Sequence, residues 1–160
     1  VELPVADGGD GTVEAAVACG FERVTVTVTG PTGLPLAASY AWRAGTAVIE
    51  MAEASGLRRL PGPPQPLTAT SHGTGELIAH AVERGADRVV LGIGGSASTD
   101  GGAGMASALG ARFLDESGEE LPPGGAALRA LARIDVSGFA KLDGVEVVVA
   151  SDVDNPLLGP

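Results

Sequence analysis

The stretch RVVLGIGGSASTDGGAGMASALG, Arg88 to Gly110, decides how this chain folds. Arg88 to Ile93 is a continuous apolar run of strand length, the pattern of a strand covered on both faces. Between Gly92 and Gly104 the chain then places six glycines and three hydroxyl residues. From about Met105 to Leu109 small apolar residues return with the character of a helix. Strand, glycine-rich loop and helix form one unit. Glycines let backbone N–H groups converge on an anion without interference from Cβ, and a helix start adds partial positive charge. Phosphate or substrate-carboxylate contact at Gly94, Gly95 and Ser96 is one reading, and a tight turn with close strand-helix packing is the other. No Gly-Lys-Ser or Gly-Lys-Thr follows, so this is not a Walker A loop.

Upstream, the rhythm differs. Val13 to Ala18 reads as a short helix stopped by Gly20. Val24, Val26 and Val28 alternate with Thr25, Thr27 and Thr29, as a half-buried strand requires. After the Gly30–Gly33 turn, Ala38–Arg43 and Ala47–Met51 complete an antiparallel meander. Four prolines between Leu60 and Pro66 mark an extended connector. Leu77, Ile78, Ala81 and Val82 share one helical face that ends at Gly85, with Ser71 or Thr74 as its cap. Downstream, Asp115–Gly125 is a loop, Ala126–Ala132 a short helix, and Val145–Ala150 the last strand. The expected fold is a single α/β domain of mixed α+β character, a meander followed by helix-strand-helix units, with the core aromatics Tyr40, Trp42 and Phe113.

Composition narrows the function. The 160 residues, 44% hydrophobic, suffice for one packed core. Ten basic against twenty acidic side chains leave a net charge of −10, which repels nucleic-acid backbones and anionic membrane surfaces. A single cysteine, Cys19, rules out an internal disulfide and suits a reducing, cytoplasmic setting. No apolar run reaches membrane-spanning length. The start at Val1 and the stop directly after a motif lead us to expect further chain on each side.

Three more constellations could carry chemistry. Ala6–Thr12 sets Asp7 and Asp10 among three glycines just before a helix, where they could hold Mg²⁺ or accept hydrogen bonds from a polyol; capping by Asp10 or Thr12 is the plainer alternative. Asp152, Asp154 and Asn155 follow the last strand, at the kind of edge where α/β sheets bind ligands, although a turn at Asn155-Pro156 would also explain them. Ser71–Gly75 places His72 and Thr74 at a helix start, where His72 could meet a carboxylate or phosphate or be merely structural. His80 reads as a partly exposed helical residue. Neither histidine has a zinc-like partner spacing.

Pro4–Thr12, Ser71–Ile78, Gly92–Met105 and Ser151–Leu157, in this order and spacing, resemble the bacterial glycerate kinase family, and the resemblance runs the length of the chain. It implies two α/β domains, one split in sequence and the other inserted into it, with this chain similar to much of the inserted one. It implies ATP- and Mg²⁺-dependent phosphorylation of D-glycerate, usually to the 2-phosphate. Departures are His72 where relatives often have Tyr, Thr99 for Asn and Ser151 for Cys. The family's N-terminal Asp-Ser-Phe-Lys segment and its C-terminal glycine-rich portion have no counterpart here.

On this resemblance Asp7 and Asp100 become candidates for hydroxyl activation, and Asp7, Asp10 and Asp100 for Mg²⁺. Gly94, Gly95, Ser96, His72, Thr74, Asp152, Asp154 and Asn155 become candidates for substrate or phosphate contact. Phosphoryl transfer needs positioned cations. Lys141 is the only lysine and lies far from every motif, so the cation is expected from a flanking domain. A non-catalytic acidic binding module and a kinase of a related hydroxy acid are the competing readings. The kinase reading requires the Asp7 turn, the Gly94 loop and Asp152 to converge.

Overall fold

A computed structural model describes residues 5–139, 142–151 and 153. After helix α1 (Thr12–Ala18) come strands β1 (Glu22–Thr29), β2 (Pro35–Arg43) and β3 (Thr46–Glu50), helix α2 (Met51–Ser55) and a 3₁₀ turn at Leu57–Arg59. Helix α3 (His72–Glu83), strand β4 (Arg88–Gly92) and helix α4 (Ala103–Ala108) follow. The remainder holds β5 (Arg112–Leu114), a 3₁₀ segment (Gly125–Ala130), β6 (Arg133–Asp135) and β7 (Glu146–Ala150).

The main sheet has the order β1-β2-β3-β4-β7. Its first half is the expected antiparallel meander, with Val24 opposite Tyr40 and Ala41 opposite Val48. At β3 it becomes parallel: Glu50 pairs with Gly92, and Gly92 with Ala150. Those three residues end their strands together, so one carboxyl edge is shared by β3, β4 and β7. β5 and β6 form a separate two-stranded antiparallel sheet.

Strand alternation sends alternate residues into two cores. Val24, Val28, Tyr40, Ile49, Val89 and Leu91 pack on one face against Leu77, Ile78 and Ala81 of α3. Ala41 and Val48 pack on the other face with Val13 of α1. Burying a side chain the size of Ile49 or Leu77, both fully buried, contributes about 1.5–3 kcal/mol. At β7 the first face is uncovered, with Val147 and Val149 exposed although their register partners Val89 and Leu91 are buried.

Several local expectations change. Met51 starts a helix rather than ending a strand, and residues 126–132 lie largely in 3₁₀ rather than α conformation. Tyr40 is core, and its hydroxyl meets Nδ1 of His80 at 3.0 Å. Trp42 is half-buried beneath the Arg84 guanidinium, 5.2 Å from the ring centre. Phe113 lines a surface cleft.

Candidate functional site

The shared carboxyl edge is roofed by the turn at Asp7–Gly11. Its fit depends on absent side chains: a Cβ on Gly92 would overlap the Gly8 carbonyl, and the Gly94 N–H donates to that same oxygen at 3.1 Å. The acidic turn and the glycine-rich loop are therefore in direct contact over the ends of β4 and β7. Asp7 is exposed and accepts from the Gly9 N–H at 3.0 Å. Asp10 lies 2.6 Å from Arg58. The loop is also tied to the segment after α2: the Leu57 N–H donates to Gly95 O, and the Ala97 N–H to Ser55 O. Ser96 turns inward on the loop, its hydroxyl 3.1 Å from that of Ser98.

Two residues not singled out in the sequence stand at this edge. Glu50, the last residue of β3, is 1% exposed. Its carboxylate accepts from the N–H groups of Gly11 and Val13, and its Oε1 lies 3.3 Å from Arg58. Burial pushes its pKa up, against the lowering effect of the Val13 and Gly11 N–H groups. Arg58, whose side chain is still 56% exposed, bridges Asp10 and Glu50 and places a cation at this edge. The available signal was Glu50 itself, a lone charge inside the apolar run Ala47–Ala52.

Other expected site residues face elsewhere. Asp100 is 2% exposed, and its carboxylate accepts from four donors: the Ser71 N–H and hydroxyl, and the N–H groups of Gly102 and Gly104. The two Ser71 bonds tie the start of α3 to the loop before α4, and the Gly102 and Gly104 bonds close the turn into α4; Oδ2 carries three of the four and Oδ1 accepts from Gly102. Thr74 is fully buried, with its hydroxyl on Ser55, and does not face a ligand. His72 is partly exposed, its Nε2 3.8 Å from Glu76. With Thr70, Gly104, Phe113 and Glu120 it lines a cleft of about 460 Å³, which none of Asp7, Asp10, Gly94, Gly95 or Ser96 borders. Asp152, Asp154 and Asn155 lie outside the described residues.

Among the described residues no three His, Cys, Asp or Glu side chains converge as a metal-binding group. Of the three carboxylates expected to hold Mg²⁺, Asp10 is paired with Arg58 and Asp100 is buried and engaged by four protein donors. Asp7 alone presents an exposed carboxylate, and Mg²⁺ in phosphoryl-transfer sites commonly takes one or two carboxylates besides phosphate oxygens and water. The donor set fits such an ion in part.

An acidic turn stacked on a glycine-rich loop at the carboxyl edge places the chain in the α/β class, whose sheets gather ligands at that edge. The glycerate kinase family model matches residues 1–160, and the chain belongs to that family. It is 54% identical to a glycerate kinase of Bacillus subtilis (strain 168) over 164 residues, covering 99% of this chain and 43% of the relative. It is 51% identical to a glycerate 2-kinase of Escherichia coli (strain K12), again covering 99% of this chain and 43% of the relative. A crystal structure described as glycerate kinase 2 from Salmonella typhimurium LT2 superposes with a TM-score of 0.93 at 50% identity, covering 99% of this chain and 44% of that one. The chain thus spans less than half the length of these relatives. No helix among the described residues is long and apolar enough to cross a membrane.

Proposed function

We propose that the chain is the inserted α/β domain of an ATP-dependent glycerate kinase, cytoplasmic in setting, which transfers the γ-phosphoryl group of ATP to the 2-hydroxyl of D-glycerate. The observation that carries this reading is the contact of the Asp7–Gly11 turn with the Gly94 loop in a chain that matches the glycerate kinase family throughout.

The glycine loop presents backbone N–H groups to an anionic group, either a phosphate or the glycerate carboxylate, while the Ser96 hydroxyl braces the loop on Ser98. Asp7, exposed beside that loop, accepts the hydrogen bond of the attacking hydroxyl and holds it in line. Asp7 is the residue that would hold Mg²⁺, and the ion would supply charge neutralisation when bound. Asp100 acts at a distance, holding α3 and α4 so that the loop between β4 and α4 keeps its shape. Further positive charge comes from the remainder of the longer protein, because Arg58 is already paired with two carboxylates.

The test is a coupled ADP-release assay on the full-length protein with D-glycerate and Mg-ATP. Asp7→Ala is expected to lower turnover at least about tenfold. Turnover of Asp7→Ala within twofold of the parent would remove Asp7 from the reaction, and failure of the parent protein to phosphorylate glycerate would overturn the substrate assignment.

A further inference from the structure

We infer that Glu50 is a positioning residue: one buried carboxylate locks the acidic turn and the glycine-rich loop into a single rigid unit. The inference rests on the kinase reading above and adds to it a side chain that touches neither substrate nor cofactor.

Glu50 sits where the antiparallel half of the sheet becomes parallel, paired in register with Gly92, and its side chain leaves the sheet beneath the Asp7–Gly11 turn. Oε2 accepts from the N–H groups of both Gly11 and Val13, each at 3.1 Å. Gly11 is the residue that ends the turn, with φ +96, and begins α1 without any side-chain cap of its own. The carboxylate therefore takes the place of the missing cap from 39 residues away. Oε1 meets Arg58, which holds Asp10 at 2.6 Å. The residue before Arg58, Leu57, donates its N–H to Gly95 O. From one buried oxygen pair, contacts thus run to the turn through Gly11 and Asp10, and to the glycine loop through Arg58 and Leu57.

A group of this kind has a recognisable purpose. A charge at 1% exposure is disfavoured unless its bonds are made, and an aliphatic side chain would fill the same volume without that demand. What Glu50 supplies and an aliphatic residue cannot is direction: it fixes the spacing between Asp7 and Gly94. A displacement of about 1 Å in reacting groups costs on the order of a hundredfold in rate.

Glu50→Gln and Glu50→Leu in the full-length protein test this. Gln keeps one oxygen for Gly11 and Val13 but loses the charge facing Arg58; Leu keeps the volume and loses every bond. The expected result is a graded fall in kcat, about tenfold or more for Gln and larger for Leu, with KM for D-glycerate and for ATP within threefold and thermal midpoints within a few degrees of the parent. Hydrogen exchange should accelerate in the peptide covering residues 7–13 and stay unchanged in β1 to β3. A kcat within twofold of the parent in Glu50→Gln would overturn the proposal. A loss of kcat matched by loss of folded protein would show a merely structural role, and a raised KM at unchanged kcat would show direct substrate contact; either result also overturns it. Should the parent protein not phosphorylate glycerate, the kinase reading fails, while unchanged exchange at residues 7–13 remains the separate result that would sink the role of Glu50.

Discussion

A carboxylate among glycines reads as reactive, and Asp7, Asp10 and Asp100 share that setting, yet each has a different neighbourhood. Asp7 is exposed, Asp10 is neutralised by Arg58, and Asp100 is buried among four donors. Sequence spacing shows which residue types are close along the chain; it does not show how many donors the fold aims at each one. Leaving buried donors without an acceptor costs about 1–3 kcal/mol. Asp100→Asn turns an amide N–H₂ toward groups that themselves donate, so it is expected to lower stability by about 1–3 kcal/mol. A denaturant melt of the variant checks this, and an unchanged midpoint would show that Asp100 does not hold α3 to α4. Glu50 escaped notice for the converse reason: nothing within ten residues of it hints at Gly11, and the partnership exists only once α1 has packed on the sheet.

Elements were legible where a strong period or a strong break marks them. The Val-Thr alternation of β1, the apolar run of β4 and the glycine that follows α3 all appear in the fold. β5 and β6, three residues each, were not legible, because a strand that short carries no measurable alternation and exists here through pairing with its partner. Met51–Ser55 was ambiguous for a similar reason, an apolar run that crosses from strand into helix without a breaker. The packing of α3 on α4 depends on a feature the period alone does not show. A Cβ on Gly75 would overlap the Met105 carbonyl and press on the Ala108 methyl. Gly75→Ala, which raises intrinsic helix propensity, is therefore expected to destabilise the protein by about 1–3 kcal/mol. A thermal melt that showed stabilisation instead would mean that the two helices separate at little cost.

At the scale of the molecule, β1 and β7 are the two edges of the sheet among the described residues, and Val147 and Val149 of β7 are exposed. Tyr40, Ile49, Leu77 and Val89 are buried in one cluster that also draws on Ala54, Leu109, Met105, Leu142 and Val145, so the main core is closed within the described residues. Folding and catalysis separate at this point. The chain carries a net charge of −10, and Arg58 at the carboxyl edge is held between Asp10 and Glu50. A triphosphate brought beside Asp7 would meet repulsion of about 1 kcal/mol per unit-charge pair at 4 Å even in bulk water, and several times that near a protein surface. Mg²⁺ lowers that repulsion without supplying the positioned side-chain cations that stabilise a transferring phosphoryl group. The relatives are more than twice as long, and we assign those cations to the additional chain. The 160 residues alone are expected to melt cooperatively by circular dichroism and to show no glycerate-dependent ADP release with Mg-ATP. Substantial turnover by the purified chain would mean that Arg58 leaves its two carboxylates to serve the phosphate. A non-cooperative melt would instead mean that the uncovered face at Val147 and Val149 is part of the folding core.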